Sequence, residues 1–373
     1  MSGRLKPLSE QIIVITGASS GIGLATARKA AESGARVVLV ARNAQALEEA
    51  AEQIRLRGGR AAVLAIDIAE NGAPERIGAF CAERFGPFDT WVNDAAVALY
   101  AKVEETSLEE HRRVFDVGYF GLVAASLYAA RELRSQGGAL INIGSVLSER
   151  TMIYQGVYSA MKHAVRAFTD ALRMELEEEG VPVSVTLIKP NGIDTPYPEH
   201  ARNKMGSPAR VPPVVYDPDL VARAILFAAE NRKRELTVGG AGLMISKASN
   251  LAPGLTDRLM ELIGVPIQKT DTPPRVGAAD NLFASRRDGD TRSNQEMYVR
   301  KQSLALEAQM RPWAAAAILG SVAAGLFALT RRRRAGGDEA ELGYSAHQTD
   351  GTDSSAQFEA MIADENMVPE RLP

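Results

Sequence analysis

A tyrosine and a lysine near the middle of the chain have the types and spacing that proton transfer requires. Tyr158 and Lys162 lie four residues apart, and a predicted amphipathic helix over 158–177 places them on one face. An ammonium beside a phenol favours the phenolate and lowers the pKa of the tyrosine from about 10. The pair therefore predicts a general acid/base that works near neutral pH. Ser145, at the end of a predicted strand, lies 13 residues before the tyrosine.

The elements that must position these side chains follow a regular alternation over residues 8–250. Short apolar runs predict strands at 11–16, 36–41, 61–66, 90–93, 139–143 and 183–188, with helical patterns between them. This alternation predicts an α/β fold with a Rossmann-like, doubly wound parallel sheet. Ligands bind at the carboxyl ends of the strands in such sheets, and the chemically interesting residues fall at those ends.

A glycine-rich turn follows the first predicted strand. Gly17, Gly21 and Gly23 lie between that strand and a helix predicted over 24–33. Glycines let the backbone approach a pyrophosphate closely, and a helix N-terminus supplies N–H donors and the positive end of a dipole. In this strand, turn, helix and strand context, the motif predicts dinucleotide binding.

The ends of the second and third strands bear on the choice of nucleotide. An acidic residue at the end of the second strand would bond the ribose 2′-hydroxyl of NAD, but Ala41 stands there and Arg42 follows it. Arg42 can pair with a 2′-phosphate, which favours NADP(H) over NAD(H). Asp67, at the end of the third strand, can accept a hydrogen bond from the adenine amino group.

Several segments in order resemble the motifs of the short-chain dehydrogenase/reductase family, over residues 8–250. They are Thr16-Gly-Ala-Ser-Ser-Gly-Ile-Gly23, Asn93-Asp-Ala-Ala96, Ser145, Tyr158-Ser-Ala-Met-Lys162 and Pro190-Asn-Gly-Ile-Asp-Thr195. The resemblance implies an NADP(H)-dependent oxidoreductase that interconverts a carbonyl and an alcohol, with hydride supplied by the cofactor. It assigns Tyr158 as proton donor to the carbonyl oxygen, Ser145 as a hydrogen-bond donor to the same oxygen, and Lys162 to the nicotinamide ribose.

The same resemblance implies where the cofactor is held. Contacts are expected from the glycine turn, the strand ends, the catalytic pair and the segment after the last central strand. The residues are Gly17, Ser19, Ser20, Gly21, Ile22, Gly23, Arg42, Asp67, Ile68, Asn93, Tyr158, Lys162, Ile193 and Thr195. A loop over 197–213 is expected to cover the substrate site. Dimers and tetramers are usual in the family, so a homo-oligomer is a further expectation.

Four segments depart from the family pattern. Gly118 stands where many relatives carry a catalytic Asn that keeps a helix kinked and anchors a water linked to the lysine. Asp94 and Ala96 alter the Asn-Asn-Ala-Gly motif, Met161 replaces a small residue, and Asn191 replaces a glycine. These departures leave a second hypothesis open, namely a catalytically weakened nucleotide-binding or scaffolding protein with the same fold.

Composition excludes several other classes of protein. The 373 residues include 43 Lys and Arg against 46 Asp and Glu, so the net charge of −3 gives no reason to expect a nucleic-acid partner. The only cysteine, Cys81, excludes a disulfide within the chain. The four histidines are scattered, so no metal site is predicted.

The composition changes after residue 250. Residues 251–311 form a predicted C-terminal extension rich in Pro, Asp and Arg, and 331–373 a polar tail that reads as disordered. Between them, 312–330 is an uncharged run that predicts a single hydrophobic helix, about 28 Å long at 1.5 Å per residue. A membrane anchor is favoured over an Ala-rich helix that packs on protein.

The orientation of the chain in the membrane and the class of its substrate are further expectations that follow from that helix. The four arginines at 331–334 would prefer the cytoplasmic side of the membrane, which would place the catalytic domain on the other side. That placement conflicts with the cytosolic supply of NADPH. The N-terminus has no Sec-type signal pattern, so a cytoplasmic catalytic domain on the membrane is favoured. A domain held there would meet a small lipophilic carbonyl or alcohol as substrate.

Overall fold

A parallel sheet forms the centre of the computed structural model, which describes residues 5–273, 279–286, 288–317 and 320–321. Seven strands pair in parallel within these residues. They are β1 (Ile12–Thr16), β2 (Arg36–Ala41), β3 (Arg60–Ala65), β4 (Thr90–Asn93), β5 (Gly138–Ile143), β6 (Val183–Pro190) and β7 (Glu235–Val238). Their spatial order is β3-β2-β1-β4-β5-β6-β7. The predicted Rossmann-like parallel sheet is confirmed.

Helices connect the strands and cover the sheet. In the described ranges they are α1 (Gly21–Glu32), α2 (Ala44–Leu56), α3 (Ala73–Arg84), α4 (Leu108–Phe115), α5 (Gly121–Leu133), α6 (Gly156–Glu178), α7 (Tyr197–His200), α8 (Pro218–Glu230), α9 (Gly240–Leu251), α10 (Pro253–Ile263) and α11 (Leu304–Met310). The sheet is buried on both faces, because Ile13 and Ile15 pack with α1, α2 and α8, while Ile12 and Val14 pack with α3, α5 and α6.

The strand order reverses beside β1, whose neighbours are β2 and β4. Successive connections leave β1 in opposite directions, and a crevice opens at the carboxyl ends of these strands. The turn after β1, the end of β2 and the end of β4 all face this crevice. The sheet thereby fixes the place where a ligand can approach backbone N–H groups.

One turn of π-helix, Asp116–Phe120, joins α4 to α5. The extra residue in the turn breaks the regular hydrogen-bond ladder, as π-turns in helices often do near functional sites. Gly118 lies in its middle. The helix between α4 and α5 is therefore irregular at this point although the usual Asn is absent.

Part of the extension packs with the parallel-sheet fold. Residues 1–311 form one compact unit and residues 312–373 a second. Within the first unit, Val299–Arg300 pairs in parallel with Val215–Tyr216, and α11 buries Leu306 in the core. The boundaries at 250 and 311 stay predictions as domain limits.

The predicted hydrophobic helix lies mostly outside the described residues. Residues 312–317 and 320–321 are helical, and the rest of 312–330 and the whole tail 331–373 are not described. Among the described residues no helix has the length and hydropathy needed to cross a membrane. The anchor and the polar tail therefore stay predictions.

Candidate active site

A cavity of about 360 Å³ opens at the carboxyl ends of the central strands. Its walls come from the turn after β1, the ends of β2 to β5, helix α6 and the segment after β6. The predicted site residues that line it are Gly17, Ser19, Ser20, Gly21, Ile22, Arg42, Asp67, Ile68, Ser145, Tyr158, Lys162, Ile193 and Thr195. The structure thus brings the predicted catalytic set and most of the predicted cofactor contacts to one cavity.

Two of the predicted cofactor residues, both described, do not line this cavity. Gly23 packs against the turn so closely that a Cβ there would lie 2.3 Å from the Gly17 carbonyl oxygen. The Asn93 side chain accepts a hydrogen bond from the Trp91 indole at 2.9 Å and donates to Ser126 and Asn142. Both residues contact segments that form the cavity walls and do not themselves face the cavity.

The catalytic set is built on α6 and the end of β5. The Lys162 ammonium donates to the carbonyl oxygen of Ile143 at 2.6 Å and lies 5.6 Å from the centroid of the Tyr158 ring. Ser145, two residues beyond Ile143, has a buried hydroxyl that accepts from the Leu147 N–H at 3.1 Å. The one-turn spacing on α6 therefore places the phenol and the ammonium together, beside the serine.

Burial, not the lysine, governs the protonation of Tyr158. Burial raises the pKa of this phenol above its ordinary value, the Asp94 charge adds to the rise, and a hydrogen bond with Ser145 opposes it. The spacing of Tyr158 and Lys162 predicted a lowered pKa for the tyrosine, and this prediction was wrong. The free energy that a phenolate loses on leaving water is larger than the stabilisation it gains from the groups around it in the cavity. The phenol is therefore protonated at neutral pH, which is the form that donates a proton.

Asp94 and Lys162 interact electrostatically in the cavity wall. Burial raises the pKa of Asp94, while the Lys162 charge and the Gly23 N–H oppose the rise. Burial lowers the pKa of Lys162, and the Asp94 charge opposes that fall. Each group thus favours the charged form of the other. The sequence showed Asp94 only as an altered residue of a motif, and its electrostatic interaction with Lys162 could not be predicted from it.

Gly118 and Met161, two of the departures, are in contact. A Cβ at Gly118 would lie 2.7 Å from Cε and 2.8 Å from Sδ of Met161. Met161 is fully buried, so its thioether fills the space that a side chain at position 118 would need. The large side chain at position 161 of α6 therefore compensates for the missing side chain at position 118 of the π-turn.

The glycine turn has the shape of an anion cradle. Gly17 and Gly21 have φ of +73° and +54°, in the left-handed region that favours glycine. A Cβ at Gly17 would lie 2.9 Å from the Ala95 backbone nitrogen, and one at Gly21 would lie 3.4 Å from the Thr195 side chain. The turn, the segment after β4 and the segment after β6 thus close around the N-terminus of α1.

Arg42 and Asp67 already have protein partners at the other end of the cavity. The Arg42 guanidinium donates to the carbonyl oxygens of Asn281 at 2.6 Å and Phe283 at 3.3 Å. Asp67 forms an ion pair with Arg113 at 2.5 Å. Although burial raises the pKa of Asp67, the Ala69 N–H and Arg113 together hold it below its ordinary value. Asp67 is therefore a carboxylate with one oxygen facing Arg113.

Sequence reasoning missed a stretch of the C-terminal extension, residues 279–286 and 288–294, which we call the strap. Strap residues Asn281, Ser285, Arg286 and Asp288 line the cavity. The Nε of Arg286 and the Oδ1 of Asn281 are buried without a hydrogen-bond partner among the described residues. The only signal in the sequence was the Asp288-Gly289-Asp290 turn, which says nothing about what the turn contacts.

The region predicted to cover the substrate site begins with α7. The Tyr197 ring packs edge-on against Tyr158 with centroids 5.5 Å apart, and its hydroxyl lies 3.4 Å from Oε1 of Gln155. His200, at the end of α7, also lines the cavity. In the part of the chain that the structure describes, no three metal-ligating side chains come together as a cation site.

Comparison with known proteins gives a consistent result. A family model described as short chain dehydrogenase matches residues 11–206. The uncharacterized oxidoreductase YxnA of Bacillus subtilis is 40% identical over 324 residues, which cover 86% of this chain and 91% of that protein. Dehydrogenase/reductase SDR family member 7B of Bos taurus is 32% identical over 67% of this chain and 80% of its own length.

Solved structures share the fold. An alcohol dehydrogenase from the archaeon Thermococcus sibiricus, complexed with 5-hydroxy-NADP, has a TM-score of 0.54 at 27% identity, over 61% of this chain and 95% of its own. L-Sorbose reductase from Gluconobacter frateurii has a TM-score of 0.55 at 24% identity, over 64% and 98% of the two chains.

The contact between Gly118 and Met161 predicts non-additive stabilities. Gly118→Asn alone should destabilise the protein by about 1–3 kcal/mol through overpacking. In a Met161→Ala background the same change should cost less, because the vacated volume admits the amide. Urea unfolding of the wild type, both single variants and the double variant measures the coupling.

Met174→Ala provides the matched control, since Met174 is 57% exposed on the same helix. Combined with Gly118→Asn, it should give additive effects. If Met161→Ala and Gly118→Asn are also additive to within about 0.5 kcal/mol, the two sites are not coupled.

Proposed function

Because the chain belongs to the short-chain dehydrogenase family, we propose that it interconverts a carbonyl and an alcohol with a nicotinamide cofactor. One observation carries the proposal. The proton-transfer set of Ser145, Tyr158 and Lys162 lines the same cavity as the glycine turn that begins α1. A hydride donor and a proton donor must reach the two atoms of one carbonyl group, and this cavity holds residues for both.

The residues of the cavity fit a dinucleotide. A Cβ at Gly17 would lie 2.9 Å from the Ala95 backbone nitrogen, so only glycine lets the turn keep the close backbone packing that brings it to the N-terminus of α1, where a phosphate can bind. Arg286 adds a buried guanidinium Nε without a partner among the described residues. Ser19, Ser20, Ile22, Ile193 and Thr195 line the cavity and would hold the phosphates and the nicotinamide end. When bound, the cofactor supplies or accepts the hydride.

The side chains of this chain manage the proton and the substrate oxygen. Tyr158, protonated at neutral pH because it is buried, donates its proton to the oxygen that becomes the alcohol. Ser145, in the same cavity as the phenol, positions that same oxygen. Lys162 provides a positive charge one helical turn away, anchored on the Ile143 carbonyl, and this charge stabilises the phenolate that remains.

NADP(H) is the favoured cofactor in this proposal. Ala41 leaves the end of β2 without an acid for the ribose 2′-hydroxyl, and the Arg42 guanidinium lines the cavity beside it. The structurally similar alcohol dehydrogenase from Thermococcus sibiricus was solved with an NADP derivative, which supports the same choice. Asp67 would receive the adenine amino group on the oxygen that does not face Arg113.

The substrate half of the cavity favours a lipophilic carbonyl or alcohol. Beyond Tyr158 the walls are made by apolar side chains from the segment before α6, from α9 and α10, and from the segment after α10. They are Met152, Ile245, Met260, Ile263 and Ile267. Apolar walls with few polar groups select substrates by burial of hydrocarbon surface. The predicted membrane anchor, cytoplasmic catalytic domain and homo-oligomer accompany this proposal as predictions.

A catalytically weakened protein is the second candidate, and the packing at Gly118 is the observation in its favour. The Met161 side chain fills the space at Gly118, where the family's Asn would contribute to proton relay. The charge pair of Asp94 and Lys162 offers the lysine a different electrostatic partner in the same cavity. We therefore favour an active reductase in which Asp94 replaces part of the missing relay.

Removal of the phenol hydroxyl tests the proton donor. Tyr158→Phe should lower kcat/KM for carbonyl reduction by about 10²–10⁴, because the transition state loses its general acid. NADPH binding, measured by fluorescence titration, should change less than about twofold. Tyr197→Phe removes a hydroxyl from the same cavity and should retain most of the activity. Equal activity in wild type and Tyr158→Phe would end the proposed role.

Removal of the Asp94 charge tests the role of the pair. Asp94 raises the pKa of Lys162, so Asp94→Asn should let that pKa fall further. The charged lysine exists below its pKa, so activity that needs it is lost as pH rises, and the loss should occur at lower pH in the variant. The alkaline limb of kcat/KM against pH measures this. An unmoved limb would show that the pair does not control catalysis.

Removal of the Arg42 charge tests the cofactor choice. Arg42→Ala should weaken NADPH binding about tenfold and NADH binding far less, because only NADPH carries the phosphate that the guanidinium pairs with. Isothermal titration of both nucleotides gives the two Kd values. Asn43→Ser is the control, because Asn43 also holds the strap, through the Arg286 carbonyl at 2.7 Å, but carries no charge. Equal losses for both nucleotides in Arg42→Ala would contradict the assignment.

A further inference from the structure

The strap forms hydrogen bonds with Ser19 and Gly21 of the glycine turn. The Ser19 hydroxyl donates to the Asp288 carboxylate at 2.9 Å, and the Gly21 N–H donates to the Asp290 carbonyl at 2.9 Å. The Gly289 N–H returns a bond to the Ser19 carbonyl at 3.0 Å. Together with the two strap carbonyls on Arg42, oxygen atoms of the strap occupy one side of the adenosine end of the cavity.

Asp288 is the charged member of this contact. Its side chain is only 12% exposed, and its second oxygen lies 3.5 Å from Nδ1 of His200. It is also close enough to Arg42 to act on that guanidinium electrostatically. A nearly buried carboxylate is poorly screened by salt, so its charge acts on whatever binds beside Ser19 and Arg42.

A 2′-phosphate and a 2′-hydroxyl would respond to this carboxylate in opposite ways. A phosphate monoester brings close to two further negative charges beside Asp288, and like charges at short range oppose binding. A hydroxyl can donate a hydrogen bond to a carboxylate, as it does to the acidic residue at the end of β2 in NAD-binding folds. Arg42 and Asp288 therefore act in opposite directions on the same phosphate.

We propose that Asp288 of the strap is a specificity-determining residue of the cofactor site, which reduces the preference for NADP(H) that Arg42 creates. The proposal rests on the proposed nicotinamide-cofactor function. It adds a residue from the C-terminal extension, far from the strand end that ordinarily decides this choice. With Asp288 docked on Ser19, NADH binds beneath the strap, and the 2′-phosphate of NADPH must displace the carboxylate from Ser19.

The test is the ratio of the NADH Kd to the NADPH Kd, measured by titration calorimetry. Asp288→Asn keeps an oxygen for the Ser19 hydroxyl and removes only the charge. The ratio should rise about fivefold or more in this variant. Asp280→Asn is the matched control, because Asp280 is a strap carboxylate paired with Arg202 at 2.8 Å, and its ratio should change less than about twofold. An unchanged or lower ratio in Asp288→Asn would overturn the proposal.

Hydrogen exchange in the wild-type protein gives a second reading that does not depend on activity. The Gly289 amide should keep its protection in the presence of NADH and exchange faster with NADPH or with adenosine 2′,5′-bisphosphate, since both of these carry the 2′-phosphate. Equal protection of Gly289 by NADH and NADPH would show that the strap is not displaced, and the proposal would fail.

Failure of the proposed function would look different from failure of this inference. If neither nucleotide binds the wild type or the variants, the cofactor assignment itself is wrong, and the role of Asp288 is wrong with it. If both nucleotides bind the wild type and Asp288→Asn with one common ratio, the cofactor assignment stands and Asp288 has no part in selectivity.

Discussion

The site depends on a lysine ammonium held almost out of water. Lys162 is 4% exposed, and burial of a charge this deep is costly unless neighbours compensate. The Ile143 carbonyl accepts one hydrogen bond, the Asp94 carboxylate supplies opposite charge, and the Tyr158 ring lies within reach of the ammonium. These three partners come from β5, the segment after β4 and α6. The order of the sheet is therefore what makes the buried charge tolerable.

The same constraint explains why changes near the lysine are coupled. Position 118 faces Met161, which directly precedes Lys162 on α6, so any side chain there would push on the turn that carries the ammonium. Glycine with methionine fills this space without strain, and the π-turn persists. The absence of the Asn is thus accompanied by a repacked cavity wall, and the predicted catalytic residues keep their places beside it.

Local patterns predicted what local physics determines. Strand and helix periodicity gave the sheet, and the spacing of Tyr158 and Lys162 gave their shared face, since both depend on geometry within one element. The pKa of Tyr158 could not be predicted from its neighbour in sequence, because desolvation depends on every element around the cavity. Asn93 belongs to a cofactor motif, yet its amide serves Trp91, Ser126 and Asn142. The strap has no periodicity at all, and its contacts join residues 19 and 288.

Charge balance at the adenosine end links the extension to the cofactor. Arg42 and Arg113 are opposed there by Asp67 and Asp288, and Arg286 adds a third guanidinium to the cavity lining. A phosphate bound there would bring further negative charge close to both carboxylates, and like charges at short range repel each other. Asp67 is fixed by Arg113 and by the Ala69 N–H, whereas Asp288 is held by a serine hydroxyl and by a histidine whose pKa burial lowers. Asp288 is therefore held less firmly than Asp67, and in our proposal it is the carboxylate that the 2′-phosphate displaces.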